Sequence, residues 1–121
     1  MLGYKVMQSG VNGFAVQAIC ADCTTAISAA GTLQADATAL AAAVNFIGTV
    51  AAGTGVLLPA AATGGDCVFI FNGGANPLKV YPDTGAKVNG LPANTAFTLA
   101  TNTAVEVWRG SATQWAAVLS A

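Results

Sequence analysis

Residues 67–74, with the sequence Cys-Val-Phe-Ile-Phe-Asn-Gly-Gly, decide the fold class of this chain. After the cysteine, the run is aromatic or β-branched, and such residues are enriched in β-strands. The Asn-Gly-Gly that ends the stretch favours the backbone angles of tight turns. This stretch therefore predicts a β-strand that stops at a turn.

The same pattern continues to the carboxyl terminus. Short apolar runs recur at intervals of about ten residues, and Gly, Pro, Asn and Asp separate them. Near the end, Val105 and Val107 alternate with Ala104, Glu106 and Trp108, which indicates a strand with two distinct faces. Further strands are predicted at residues 78–81, 87–88, 95–99, 103–108 and 114–119. Short strands at this spacing predict a mainly β fold, a small antiparallel β-sandwich or barrel, over residues 54–121.

The chain before residue 54 is richer in alanine. Residues 32–43 predict one short Ala-rich helix, because apolar residues recur at helical spacing from Leu33 and Thr32 can cap its amino end. Residues 45–50 predict a strand that leads into the β domain. The first residues have weak periodicity and glycine breaks. We therefore expect an N-terminal arm at 1–31, a short helix and lead-in strand at 32–53, and an antiparallel β domain at 54–121.

Charge is scarce along the chain. Only 7% of its 121 residues are charged and the net charge is −1, whereas about 25% is usual for a soluble domain. A surface built from Ala, Thr, Ser, Asn and Gly suits a protein largely covered by neighbouring subunits, although a monomer with a neutral polar surface is the alternative. Without a basic patch, binding to nucleic acid through phosphate contacts is not expected. Neither a membrane span nor a signal peptide is predicted.

The residue types that carry most enzyme chemistry are sparse. The chain has no histidine, which removes the usual neutral-pH base and the commonest zinc ligand. No pair among the five carboxylates stands out, so we predict no catalytic residue, no cofactor and no metal site. Nor do the glycine-rich segments match a phosphate-binding loop. The sequence therefore favours a protein that is not an enzyme.

Three cysteines, Cys20, Cys23 and Cys67, leave several possibilities open. Cys20 and Cys23 form a Cys-x-x-Cys motif, but no thioredoxin-like unit surrounds it, and zinc would need ligands from another subunit. An odd number of cysteines suits a disulfide between chains. Reduced, buried thiols are an equal alternative.

Three aromatic residues could form a sugar-binding platform if they were exposed together: Tyr81, Trp108 and Trp115. Such residues more often fill the core of a small β domain. We therefore expect the core placement and keep a glycan-binding surface as the alternative.

An ordered set of motifs resembles a known family. Gly53-Thr-Gly-Val-Leu-Leu-Pro59 is followed by Asn72-Gly-Gly-Ala-Asn76, then by Leu78-Lys-Val-Tyr-Pro82, then by Gly85 and Val88-Asn-Gly90. In this order, over about residues 26–121, the motifs resemble a small β module of tailed-bacteriophage virion proteins. The Cys20 and Cys23 pair lies outside that stretch.

The resemblance implies a structural role on the virion surface and a trimeric state. The matched residues would serve turns and packing: Phe69, Phe71, Val80 and Tyr81 would fill the core, and Pro59 and Pro82 would end strands. Unusual backbone angles would come from the turn residues Asn72, Gly73, Gly74, Asn76, Gly85 and Gly90.

The leading hypothesis is a capsid decoration (cement) protein located on the virion. Its expected partners are itself, as a homotrimer, and the major capsid or other virion proteins, with no role for nucleic acid or membrane. A neck, fibre or tail-spike component is the alternative within the structural class. A module that binds a host glycan is the alternative from another class.

Overall fold

Ten short β-strands are the main secondary structure of the computed structural model, which describes residues 22–60 and 64–120. One 3₁₀ turn at Gln34–Asp36 interrupts them. In chain order the strands are β1 Cys23–Ser28, β2 Thr38–Ala39, β3 Val44–Thr49, β4 Gly55–Leu57, β5 Cys67–Asn72, β6 Leu78–Tyr81, β7 Lys87–Val88, β8 Phe97–Leu99, β9 Thr103–Arg109 and β10 Gln114–Leu119.

The first six strands wind as three coils of a solenoid-like arrangement. β1, β3 and β5 belong to a six-stranded sheet, sheet I, with the order β1-β3-β5-β9-β10-β7. β2, β4 and β6 belong to a four-stranded sheet, sheet II, with the order β2-β4-β6-β8. Within the coils every pairing is parallel, β1 with β3 and β3 with β5 in sheet I, and β2 with β4 and β4 with β6 in sheet II. The chain therefore crosses from one sheet to the other after each strand.

The carboxyl-terminal strands reverse this direction. β8 pairs antiparallel with β6 in sheet II, and β9 pairs antiparallel with β5 in sheet I. β10 then returns beside β9, also antiparallel, and β7 pairs parallel with the start of β10. Antiparallel strands thus cover the last coil at the carboxyl-terminal end of the stack.

The mainly β class is confirmed, but the antiparallel sandwich or barrel is wrong. Seven predicted strands lie close to observed ones, namely β3 and the six strands β5 to β10. The error is in their connections, since segments such as Asn72–Asn76 do not return the chain as hairpins. They carry it across to the other sheet, and a parallel neighbour then comes from the following coil. Short turn motifs signal only that a strand ends, because the identity of the next neighbour depends on non-local pairing.

The predicted Ala-rich helix at 32–43 is also wrong. Only Gln34–Asp36 is helical, and the chain continues into β2 and an irregular segment. The Asp36 carboxylate accepts a hydrogen bond from the Leu33 amide at 2.8 Å, which closes a local turn. Leu33 itself is 65% exposed instead of facing the core. An alanine-rich helix of this length is marginal alone, and here Thr38 and Ala39 instead pair with Val56 and Leu57 of β4. Within the part of the chain that is described, no helix has the length and apolar character needed to cross a membrane.

The core lies between the two sheets. Its fully buried members come from alternate positions of the strands, including Ile47 and Ile70 from sheet I and Val56, Val80 and Leu99 from sheet II. Trp115, at 0% exposure, is the largest side chain that is buried in this way.

Of the predicted arm, residues 1–21, which contain Cys20, lie outside the described residues. Residues 23–28 form β1, the outermost strand of sheet I on the amino-terminal side. The division of the chain at residues 31 and 53 stays a prediction.

Candidate assembly surface

The outer face of sheet I carries a group of large apolar side chains. Burial alternates along β5, where Val68, Ile70 and Asn72 are buried while Phe69 and Phe71 are half-buried on the opposite side. The strand pairing places residues of the neighbouring strands on the same outer side. We call the resulting patch the aromatic face; it consists of Phe46, Phe69, Phe71, Trp108 and Val118.

Register brings these side chains together across the sheet. Phe46 in β3 lies directly opposite Phe71 in β5, with ring centroids 5.6 Å apart. Phe46 also lies 6.1 Å from the ring of Phe69. Both distances are typical of attractive aromatic pairs. The three rings form a continuous cluster, not isolated surface residues.

The aromatic face extends across β9 and β10. Trp108 lies opposite Cys67 on one side and Ala116 on the other, while Glu106 lies between Phe69 and Val118. Trp108 is 44% exposed and Val118 is 63% exposed. Glu106 is the only charged residue at the outward positions of β3, β5, β9 and β10, all of which the structure describes. A patch of this kind marks an interaction surface more often than an ordinary solvated one.

This placement corrects the expected role of two residues. Phe69 and Phe71 were predicted to fill the core, but they lie on the outer face, whereas Val80 and Tyr81 are buried as predicted. In the sequence, the feature that could have indicated this outward placement is the continuous apolar run of β5. Strands that are apolar on both sides occur where both faces of a sheet are covered.

The cysteines do not form a disulfide within the described part of the chain. Cys23 on β1 is exposed and Cys67 on β5 is half-buried, both as free thiols. β3 lies between their strands, so two interstrand spacings of about 4.8 Å separate them, which exceeds the Cα separation of a disulfide. Burial, and then the nearby charge of Glu106, raise the pKa of the Cys67 thiol. Cys67 is thus kept protonated and slow to oxidise, and a disulfide between chains stays a prediction.

The three residues of the possible sugar platform are not brought together. Trp115 is buried, and its indole Nε1–H donates to Asp83 Oδ1 at 2.9 Å. Tyr81 is also buried, and its hydroxyl donates to the Thr32 carbonyl at 3.2 Å. Trp108 alone is exposed, on the outer face of sheet I.

The turn residues serve packing and hydrogen bonding more than unusual backbone angles. Gly85 has a positive φ of 87°, but Asn72, Gly73, Gly74, Asn76 and Gly90 do not, so their expected role is corrected. Beside Gly90, Asn89 adopts the left-handed conformation, with a φ of 51°. Pro82 directly follows β6, as expected, and its carbonyl accepts a hydrogen bond from Gln34 Nε2 at 2.7 Å.

Asn72 acts as a buried junction between the two sheets. Its side-chain Nδ2 donates to the Leu99 carbonyl at 2.9 Å and to the Asn76 carbonyl at 3.0 Å. Its Oδ1 accepts from the Gly74 amide at 3.0 Å. Asn76 Nδ2 in turn donates to the Val50 carbonyl of the preceding coil at 2.8 Å. These bonds replace the backbone pairing that a corner lacks.

Comparison of the chain with protein-family models, with curated proteins and with solved structures gives no match. Among the described residues, no three His, Cys, Asp or Glu side chains are grouped so that they could hold a metal ion. The arrangement offers an apolar surface on the outer side of sheet I, which suits binding to another protein surface.

Proposed function

We propose that this protein is a non-enzymatic structural component of a tailed-bacteriophage virion, most specifically a capsid decoration protein. It would stabilise the head through contacts with copies of itself, as a homotrimer, and with the major capsid protein. The assignment to a virion is supported by the ordered motifs over about residues 26–121. The assignment to an assembly role is supported by the aromatic face.

The observation that carries the proposal is that β5 is apolar on both of its sides. Its inward residues Val68 and Ile70 fill the core, yet its outward residues Phe69 and Phe71 are also aromatic. No described segment covers the outward side, since Phe46 and Trp108 beside them remain 40% and 44% exposed. A partner surface is the natural cover for a sheet face of this composition.

The scarcity of charge fits the same role. Burying a charge at an interface is costly unless it is paired. Glu106 is the only charged residue at the outward positions of β3, β5, β9 and β10, all of which are described. Each contact would contribute roughly 25 cal/mol per Å² of apolar surface removed from water. Repetition over the many copies on a capsid would turn modest contacts into a large total stabilisation.

Two alternatives remain distinct from this proposal. A neck, fibre or tail-spike component would use the same self-contacts at another place on the virion. A host-glycan module would need a different aromatic platform from the one expected, because Tyr81 and Trp115 are buried. The absence of histidine from the sequence supports the non-enzymatic proposal, because the usual neutral-pH base is missing.

Binding to capsids tests the proposal. Capsids that lack the protein are mixed with the purified wild-type chain, with the F46S/V118S variant and with the L33S variant, and bound protein is measured after sedimentation. Leu33 is the matched control, because it is an exposed leucine on a segment held against Pro82 at the end of β6 in sheet II. We expect the wild-type chain and L33S to saturate the capsid and F46S/V118S to bind at least tenfold more weakly. Failure of the wild-type chain to bind capsids would refute the decoration role, and immunolabelling of intact virions would then test the neck and tail positions.

A further inference from the structure

The two ends of the coil stack are built differently. At the carboxyl-terminal end, antiparallel strands cover the last coil, with β9 on β5 and β8 on β6. At the amino-terminal end, β1 and β2 are the outermost strands of their sheets and each pairs on one side only within the described residues. Coil-like repeats need a terminal cap, because the end unit otherwise exposes its apolar interior and its backbone donors and acceptors.

A cavity of about 200 Å³ opens between the two outermost strands. Thr24 and Ile27 of β1 line one side, Thr38 of β2 and the neighbouring Leu40 line the other, and Asn45 lies among them. The cavity therefore lies at the open end of the first coil. None of residues 22–60 and 64–120 covers the interior between the sheets there.

The buried Asn45 side chain is a second, independent indication that another group covers this cavity. Its side chain is 1% exposed, and its Nδ2 donates to the Ala42 carbonyl at 2.9 Å and to the Phe69 carbonyl at 3.2 Å. Those two bonds fix the orientation of the amide. Its Oδ1 is then left without a hydrogen-bond donor among the described residues. A buried acceptor of this kind is normally satisfied, so the covering group must bring an N–H or O–H.

The segment that leads into β1 has the features of a further coil. The starts of β1, β3 and β5 are separated by 21 and 23 residues, which is the length of one coil. Residues 2–20 are about as long as one coil and lead into β1 at the open end. Only one of them, Lys5, is charged. They contain two mainly apolar stretches on either side of Gly10-Val-Asn-Gly13, namely Leu2–Met7, which includes Lys5, and Phe14–Ile19. β5 and β6 likewise flank a glycine- and asparagine-rich corner.

We propose that the open end of the coil stack is the docking site for residues 2–20 of the same chain, which act as its terminal cap. The segment covers the cavity, supplies backbone partners to the free edges of β1 and β2, and donates a hydrogen bond to Asn45 Oδ1. This inference is independent of the proposed virion role. It concerns the amino-terminal end of the stack, whereas the aromatic face is the outer side of sheet I.

Thiol labelling of the full-length chain tests the cap. In a background with all three native cysteines replaced by serine, one cysteine is introduced by A41C, at an exposed position that lines the cavity. The matched control is A52C, at an exposed position in the corner between β3 and β4. We expect the A41C thiol to react with a disulfide reagent at least tenfold more slowly than the A52C thiol, at every protein concentration. Equal rates would overturn the proposal. Protection that disappears on dilution would also overturn it, because a second copy would then be the cover.

Substitutions within the segment and a measurement on the unaltered chain complete the test. V16D/I19D should raise the A41C rate to that of A52C and leave the A52C rate unchanged; continued protection would show that another group covers the cavity. In the wild-type chain, hydrogen exchange followed by NMR should show protection of those β1 amides that do not donate to β3. Exchange of these amides at the rate of an unstructured peptide would contradict the cap without the use of any variant.

Discussion

Asp83 and Trp115 are joined inside the protein by a hydrogen bond of 2.9 Å from the indole Nε1–H to the carboxylate Oδ1. The same oxygen accepts from Arg109 Nη1 at 2.6 Å, and the Arg109 guanidinium lies 4.8 Å from the centre of the Trp115 ring. Arg109 also donates from Nη2 to the Ala112 carbonyl at 2.5 Å. This cluster ties the segment after β6 to β9, to β10 and to the turn between them, and so fastens the antiparallel end of the stack.

The cluster predicts a dependence of stability on pH. Burial alone would raise the pKa of Asp83, but the hydrogen bonds from Arg109 and Trp115 and the Arg109 charge outweigh it, so the pKa is lowered in the folded state. A carboxyl group with a lowered folded pKa contributes its full stabilisation above its unfolded pKa, about 3.9, and loses it as the pH falls through the folded value. Urea unfolding should therefore show a fall in the free energy of unfolding below about pH 4.

The D83N variant isolates this contribution. At pH 7 it should be less stable by about 3–5 kcal/mol, because Arg109 keeps a buried charge without its partner. Its free energy of unfolding should also fall less steeply than that of the wild-type chain below pH 4. Parallel pH profiles for the two proteins would show that Asp83 is not the group responsible.

Gly74 predicts a steric effect at the corner after β5. A Cβ atom placed there would lie 2.6 Å from Val50 Cγ2 and 2.8 Å from the Val50 backbone nitrogen. These distances are too short, so the segment at Gly74 or the segment at Val50 would have to move. G74A should therefore destabilise the fold by about 1–3 kcal/mol, the usual range for overpacking. Urea or thermal unfolding measures it.

Gly90 is the matched control for Gly74. It has no positive φ, and no atom lies within 4 Å of where its Cβ would be. G90A should be neutral or should stabilise by about 0.4–1 kcal/mol, since alanine restricts the unfolded chain. Equal losses of stability in both variants would contradict the close approach of the corner to Val50.

The two described cysteines should differ in reactivity. In a C20S background, the exposed Cys23 should react rapidly with a disulfide reagent, and the half-buried Cys67 should react slowly because its pKa is raised. Removal of Cys23 by C23S should abolish the fast phase, and a rise in pH should accelerate the slow one. A single phase with both thiols equally reactive would contradict the placement of Cys67 beside Trp108.

The sequence predicted where strands lie better than how they connect. Alternation of Val105 and Val107 with Glu106 and Trp108 is a local pattern, and it correctly assigned the two sides of β9. The turn at Asn72–Asn76 was found, but its role as a corner between sheets depends on the parallel partner strands, which no local motif specifies. The helix predicted at residues 32–43 is wrong because an alanine-rich segment of this length is marginal as a helix alone, and its pairing with β4 is a non-local contact.

The aromatic face was present in the sequence but was assigned to the wrong side. Phe69 and Phe71 belong to an apolar run, and such a run does not by itself say which of its alternate residues face the core. The buried Asn72 decides this, since it shares a side with Val68 and Ile70. Its hydrogen bonds to the Leu99 carbonyl and the Gly74 amide could be seen only in the folded arrangement.

The native mass of the full-length chain tests the proposal that copies of the chain contact one another through the aromatic face. Light scattering after size-exclusion chromatography should give the mass of a trimer for the wild-type chain and for L33S, at micromolar concentration. The F46S/V118S variant should give the mass of a monomer, 11.9 kDa per chain, while its circular dichroism remains that of a β protein. A wild-type chain that is monomeric at every concentration, or a trimer that survives F46S/V118S, would contradict this contact between copies.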